Sequence, residues 1–321
     1  MPDIVTAFFA LGLLAGVVKS DLKVPDAIYQ TLSILLMLVL GLKGGLALHG
    51  KFELAMLSTL LPVMALGILI PLICYPILRR AVGLPLDDAA SIAAHYGSVS
   101  AGTFAVVLAL AEKSALPLGP ETTLYLVVLE LPAIVLMLWL HRTLSGNAGH
   151  VAHAAHAAHA ARHGILREAL TSRSVLLLVG GVLIGYFYGP VGLGPLQPVL
   201  LDGFKTMLAV FMLEMGLCTA KACMPLPLHQ WRLMLFAALM PFGLAWVGIG
   251  TALALGLPEG SALVLAGLTA SASYIAAPAA IRASIPSANI GLAMLAALGI
   301  TFPINVLVGL PLYQGWIKLF Y

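Results

Sequence analysis

Two short hydroxyl-bearing runs are the part of this sequence best equipped for chemistry: Ser98-Val99-Ser100-Ala101-Gly102-Thr103 and Ser271-Ala272-Ser273-Tyr274. Each sits inside a segment otherwise apolar enough to cross a bilayer. Lipid offers no hydrogen-bond partners, so hydroxyls at that depth cost free energy unless they satisfy something. The runs also occupy matching places. Gly83-Leu84-Pro85 precedes the first as Gly256-Leu257-Pro258 precedes the second, at an ungapped offset of 173 residues. The pair reads as one binding site divided between two repeats.

Serine and threonine hydroxyls both donate and accept, which suits a small anion carrying its own O–H, such as bicarbonate. The flanking residues favour helices interrupted near mid-membrane. Gly97 and Gly102 border the first run, and Ala276-Ala277-Pro278 follows the second, where Pro278 lacks an amide hydrogen. Each interruption exposes the N-terminus of a half-helix, with unpaired N–H groups and about half a positive charge. Two such ends facing one another would hold a monoanion without any arginine. A micromolar site needs about −8 kcal/mol, within reach of several charge-assisted hydrogen bonds of roughly 1.5–3 kcal/mol each. The expected substrate-binding set is Ser98, Val99, Ser100, Ala101, Gly102, Thr103, Ser271, Ala272 and Ser273. The competing explanation is that small residues let membrane helices pack closely; the matched pair favours a site.

The elements that must position these runs follow from composition. The chain is 61% hydrophobic and 9% charged, with a mean hydropathy of +1.05. A soluble chain needs about a quarter of its residues charged, so this is an integral membrane protein. Ten spans are expected, at roughly 4–19, 30–48, 53–78, 87–112, 121–144, 174–190, 202–222, 231–255, 259–282 and 288–318. The last, with Pro303 and Pro311, is expected to kink or break. The run from Ile4 to Val18 lacks a basic leader and a small-residue cleavage site and is expected to stay as a helix. With the N-terminus outside, eleven basic residues, among them Arg79, Arg80, Arg142 and Arg232, fall on one side. Lys51, Lys113, Lys205 and Lys318 fall on the other. The richer side should be cytoplasmic, placing both termini on the outer face of a plasma (inner) membrane.

Two further matches support duplication. Leu131-Pro132-Ala133-Ile134-Val135-Leu136 echoes Phe302-Pro303-Ile304-Asn305-Val306-Leu307, and Gly41-Leu42 echoes Gly216-Leu217. Five spans per repeat is an odd number, so the second copy must enter the membrane from the opposite face. The expected fold is therefore all-α, with ten transmembrane helices as two inverted five-helix repeats and discontinuous helices in spans 4 and 9. Residues 1–144 form the first repeat, 145–172 a cytoplasmic His/Ala-rich linker, and 173–321 the second repeat.

Three stretches carry a family likeness: Val24-Pro25-Asp26-Ala27-Ile28-Tyr29-Gln30, Gly41-Leu42-Lys43-Gly44-Gly45, and Arg282-Ala283-Ser284-Ile285-Pro286-Ser287-Ala288-Asn289. They resemble signatures of the sodium-dependent bicarbonate transporter family of cyanobacteria and other bacteria. The resemblance implies an elevator-type importer with a gate domain (spans 1, 2, 6 and 7) and a core domain (spans 3–5 and 8–10). It implies a homotrimer, bicarbonate and sodium held between the broken helices, and a small cytoplasmic regulator of the PII type. By this likeness Ser98, Ser100, Thr103, Ser271 and Ser273 match the substrate and ion region. One position departs: Tyr274 stands where the family has an aspartate, which looks like a sodium ligand there. The cation set is accordingly Ser100, Thr103, Ser273, Tyr274 and Glu130, with Glu130 supplying the negative charge. No cofactor is expected beyond sodium as the coupling ion, and the scattered basic residues give no sign of nucleic-acid binding.

Other polar groups have weaker claims. Lys43 and Glu214 lie at membrane depth in equivalent spans, so an ion pair between them is possible, as is Lys43 snorkelling to an interface. His95, three residues before the first serine, is either a pH sensor or a hydrogen-bonded helix histidine. Cys74, Cys218 and Cys223 lack metal or disulfide spacing and should serve packing. His150, His153, His156, His159 and His163 lie in the Ala-rich linker and form either a metal-binding face or a low-complexity connection. The alternatives to bicarbonate import are a symporter or channel-like carrier for another small anion, and a metal-binding membrane sensor using that loop. Enzymatic function is not expected, and no HExxH stands on any span.

Overall fold

The computed structural model describes residues 4–51, 53–145, 173–224 and 228–321. The histidine run at 150–163 lies outside the described residues. Among those described the chain is helical, without strands. Seven helical stretches are long and apolar enough to cross a bilayer, and two shorter apolar helices, Ile4–Val17 and Glu259–Thr269, accompany them. In chain order the elements are α1 (Ile4–Val17), α2 (Asp26–Leu48), α3 (Leu57–Ile77), α4 (Leu86–Gly97), α5 (Ala101–Lys113), α6 (Leu124–Glu130) and α7 (Pro132–Leu144). There follow α8 (Arg173–Leu193), α9 (Phe204–Cys223), α10 (Trp231–Ala254), α11 (Glu259–Thr269) and α12 (Ala276–Ser284). The last, α13, is the helical run Ile290–Ile317.

Two long parallel pairings build one side of the molecule: α1 packs along α9, and α2 along α8. Both depend on glycines that let backbones touch. A Cβ at Gly41 of α2 would overlap the Leu178 carbonyl of α8, and a Cβ at Gly216 of α9 would overlap the Phe9 carbonyl of α1. The two glycines matched in the sequence thus do the same work in equivalent helices, close approach without a hydrophobic driving force.

The other side is assembled from α3, α4, α6 and α7 together with α10, α11, α12 and α13. In the stretch Leu86–Lys113, which carries the first serine run, 94% of the most apolar 18-residue window is buried, against 33% of that window in Leu54–Val82. The interrupted segment therefore lies in the interior, where non-helical backbone is tolerated in a membrane protein. A hydroxyl relay clamps it there. Tyr96 of α4 donates to Thr301 Oγ1 of α13 at 2.6 Å, and Thr301 donates to the Ala237 carbonyl of α10 at 2.8 Å.

The two prolines of the last span neither break nor interrupt α13. The helix widens instead into π-type turns at Leu295–Thr301 and Asn305–Gly309, a common way to absorb an irregular ladder. Proline lacks the amide hydrogen that would engage a carbonyl one turn earlier. Side chains of α9 take that place: Thr219 Oγ1 donates to Leu298 O at 3.1 Å, and Cys223 Sγ to Gly299 O at 3.2 Å.

Candidate functional site

The two serine runs meet. Helix α4 ends at Gly97, Ser98 and Ser100 are extended (φ −88°, ψ 151° and φ −99°, ψ 117°), and α5 restarts at Ala101. Likewise α11 ends at Thr269 and α12 restarts at Ala276. The interruptions cross in contact. The Ser100 amide donates to Ser271 Oγ at 3.0 Å, and the Ser273 amide donates to the His95 carbonyl at 2.7 Å. That carbonyl is in the last turn of α4, where helical donors have run out.

Equivalent serines do equivalent work. Ser100 caps α5 by accepting from the Thr103 amide at 3.1 Å, and Ser273, 173 residues later, accepts from the Ala277 amide at 3.2 Å. Ser98 Oγ donates to Glu130 O at 2.8 Å, while Ser271 Oγ donates to Leu268 O at 2.7 Å. All four serine hydroxyls thus hold the interruptions together, and Val99 and Ala272 between them are buried. Pro278 falls in the first turn of α12, where its missing amide hydrogen costs nothing.

What remains open to a ligand is the N-terminus of α5. The Ala101 and Gly102 amides occupy its first turn, where no helical acceptor exists. Two buried hydroxyls there have no hydrogen-bond partner, Thr103 Oγ1 and Tyr274 Oη. The Tyr274 hydroxyl lies against Gly102, so closely that a Cβ at that position would collide with it. Its ring packs edge-on against Phe302 at 5.4 Å. Beside this end is a cavity of about 10 Å³, lined by Ser33, Leu36 and Met37 of α2, Ala101, Gly102 and Ala105 of α5, Phe211 and Ile275. That is room for about one water molecule. In this conformation the Tyr274 hydroxyl occupies the space directly against Gly102.

The remaining candidates fall in different places. Glu130 is buried beside the first interruption, its carbonyl taken by Ser98. His95 is fully buried, with Nδ1 donating to the Ser91 carbonyl at 2.7 Å and Nε2 unpartnered; this is the hydrogen-bonded helix histidine. The Lys43–Glu214 pair does not form. Lys43 instead bridges Glu112 of α5 at 2.8 and 3.0 Å and lies 4.6 Å from the centre of the Phe204 ring. Glu214 accepts from Cys218 Sγ at 3.3 Å through one oxygen. Helix geometry explains the difference: Glu112 is in the last turns of α5, which the packing of α5 on α2 brings alongside Lys43.

One contributor was not singled out from sequence. Asn305 donates through Nδ2 to the Ala270 carbonyl at 2.6 Å and accepts from the Tyr313 hydroxyl at 2.7 Å. It secures the carbonyl just after α11 ends. A lone asparagine within an apolar proline-containing run was the available signal. Among the described residues no cluster of three His, Cys, Asp or Glu side chains could hold a metal.

The profile of the Na+-dependent bicarbonate transporter superfamily matches residues 4–318. The chain belongs to this superfamily. Its apolar helical stretches agree with a multi-pass membrane protein of that family. No curated protein matches the chain.

Proposed function

We propose that this protein imports bicarbonate with sodium, binding the anion at the crossing of its two interrupted helices. The observation that carries the proposal is the N-terminus of α5: first-turn amides, with Thr103 Oγ1 and Tyr274 Oη buried beside them and lacking partners. A carboxylate-like oxygen there would accept from the amides, and the bicarbonate O–H could be answered by an accepting hydroxyl. The serines fix the backbone that presents these groups. For sodium, the Ser100, Thr103, Ser273 and Tyr274 oxygens and the Glu130 carboxylate are the proposed surroundings.

Access requires movement, because the phenol occupies the anion's space. Superfamily membership and the matched interruptions support ten spans arranged as inverted repeats. In this arrangement α1, α2, α8 and α9 form a gate. The rest of the bundle is a core that carries the site past it, in an elevator-type cycle within a homotrimer. Both termini lie on the outer face of the plasma membrane, and a PII-type protein docks on the cytoplasmic side.

Labelled bicarbonate uptake into proteoliposomes, with and without an inward sodium gradient, tests the function. Gradient-stimulated uptake is expected; uptake in neither condition overturns it. The Tyr274–Gly102 contact favours a second reading, a carrier for a different small anion shaped to the narrowed pocket. Competition of uptake by nitrate, formate and acetate separates the two.

A further inference from the structure

Away from the serine crossing, the molecule has a second and much larger concavity. It is a groove of about 600 Å³ between the end of α3 and the start of α10, lined by Ile77, Val82, Trp231, Arg232, Leu235 and Leu239 among others. Its floor and walls are apolar, with Leu235 half exposed and Leu239 more than half exposed along it. Its rim is cationic. The Arg232 guanidinium lies 5.4 Å from the centre of the exposed Trp231 ring. Arg80, also exposed, directly precedes the groove-lining Ala81 in the wide turn that ends α3. Neighbouring Arg79 is engaged with the Leu84 carbonyl at 2.6 Å. Among the described residues neither Arg80 nor Arg232 has a carboxylate partner.

We infer that this groove is a binding site for one anionic phospholipid. The groove offers each part of such a molecule its counterpart. A guanidinium binds a phosphate through paired N–H donors. An indole is at home at headgroup level, with its apolar body inward and its N–H toward water. The Leu235 and Leu239 face continues from that rim along α10, where an acyl chain runs. A zwitterionic lipid also brings a phosphate, but its own ammonium group already neutralises that phosphate, so the two guanidinium groups gain more from a lipid with net negative charge. A basic pocket between spans at the membrane surface is where anionic headgroups are recognised. The site is separate from the serine crossing, so it does not depend on which solute is transported.

The purified full-length protein in detergent, titrated with phosphatidylglycerol, phosphatidylcholine or inorganic phosphate and read by native mass spectrometry, tests this. Retained phosphatidylglycerol is expected to exceed phosphatidylcholine at least fivefold. Arg80→Gln with Arg232→Gln should bring it down to the phosphatidylcholine level, whereas Arg142→Gln, an exposed arginine at the end of α7, should change nothing. Both substituted side chains are exposed, and an unaltered unfolding midpoint will show that the double variant is folded. Equal retention of the two lipids by the unaltered protein would overturn the site. So would a preference that survives in the double variant, or complete displacement of the lipid by phosphate at matching concentration. Phosphatidylglycerol with brominated chains locates the site: it should quench tryptophan fluorescence more than brominated phosphatidylcholine does, and that excess should vanish in Trp231→Phe; no excess, or one that persists in the variant, counts against the groove.

Discussion

The Ser100 amide and the Ser271 hydroxyl meet at 3.0 Å where the two interrupted helices cross, joining residues 171 apart in sequence. Ser271 in turn donates to Leu268 O in the last turn of α11, so its one hydroxyl ties the end of α11 to the start of α5. Removing it by Ser271→Ala leaves the buried Ser100 amide without its partner, while the Leu268 carbonyl keeps the Ser271 amide at 2.9 Å. A buried unsatisfied group costs about 1–3 kcal/mol, and the unfolding free energy in detergent should fall by about that amount. Ser58→Ala, which removes an exposed hydroxyl bonded only to Ala55 O, should stay within about 0.5 kcal/mol of the unaltered protein. Equal effects from the two substitutions would mean that the crossing bond contributes nothing special.

Gly102 and Tyr274 are matched by shape. Because a Cβ at residue 102 would strike the Tyr274 hydroxyl, Gly102→Ala should destabilise by about 1–3 kcal/mol, the usual cost of overpacking. Tyr274→Phe removes the offending oxygen. In a double-mutant cycle the combined variant should recover at least half of the loss. Additive effects would place the strain elsewhere.

The crossing was legible in the sequence because it rests on local signals that recur at a fixed offset. Paired serines, flanking glycines and the 173-residue offset fix where each helix stops, and Ser100 and Ser273 cap the restarts as their common position implies. Long-range partnerships were not legible. Lys43 and Glu214 look paired on a repeat diagram, yet the side-by-side packing of α2 and α5 gives Lys43 to Glu112 instead. The role of Asn305 depends on which carbonyl an α11 terminus leaves exposed, which no spacing rule encodes. Pro303 and Pro311 signalled an irregular helix correctly in kind, but its rescue by π-type turns and by Thr219 and Cys223 depends on α9 lying alongside. Nor could composition say that Tyr274 would lie on Gly102 rather than face a solvated pocket.

The Lys43–Glu112 bridge has side chains 21% and 43% exposed. Solvent screens such a pair, and its contribution to stability should be at most about 1 kcal/mol. The informative experiment is therefore a charge swap. Lys43→Glu alone puts two carboxylates together and should reduce stability, and adding Glu112→Lys should restore it. Adding Glu214→Lys to Lys43→Glu should not. Restoration by the Glu214 swap instead would show that Lys43 faces α9.

Glu130 provides the last test, because it concerns charge rather than shape. Its carboxyl is buried next to the interruption whose Ser98 hydroxyl bonds its own carbonyl. A sodium ion near the crossing needs oxygen ligands, and the hydroxyls there are neutral. Glu130 is a buried carboxyl beside the first interruption, able to bring a full negative charge. Glu130→Gln keeps the size and hydrogen-bonding capacity of the side chain and removes only that charge, leaving the Ser98 contact to the backbone intact. The sodium concentration for half-maximal bicarbonate uptake should rise about tenfold, corresponding to about 1.4 kcal/mol of lost cation binding. The bicarbonate concentration dependence at saturating sodium should move much less. A sodium curve that does not shift would remove Glu130 from the cation site and leave coupling to neutral oxygens alone.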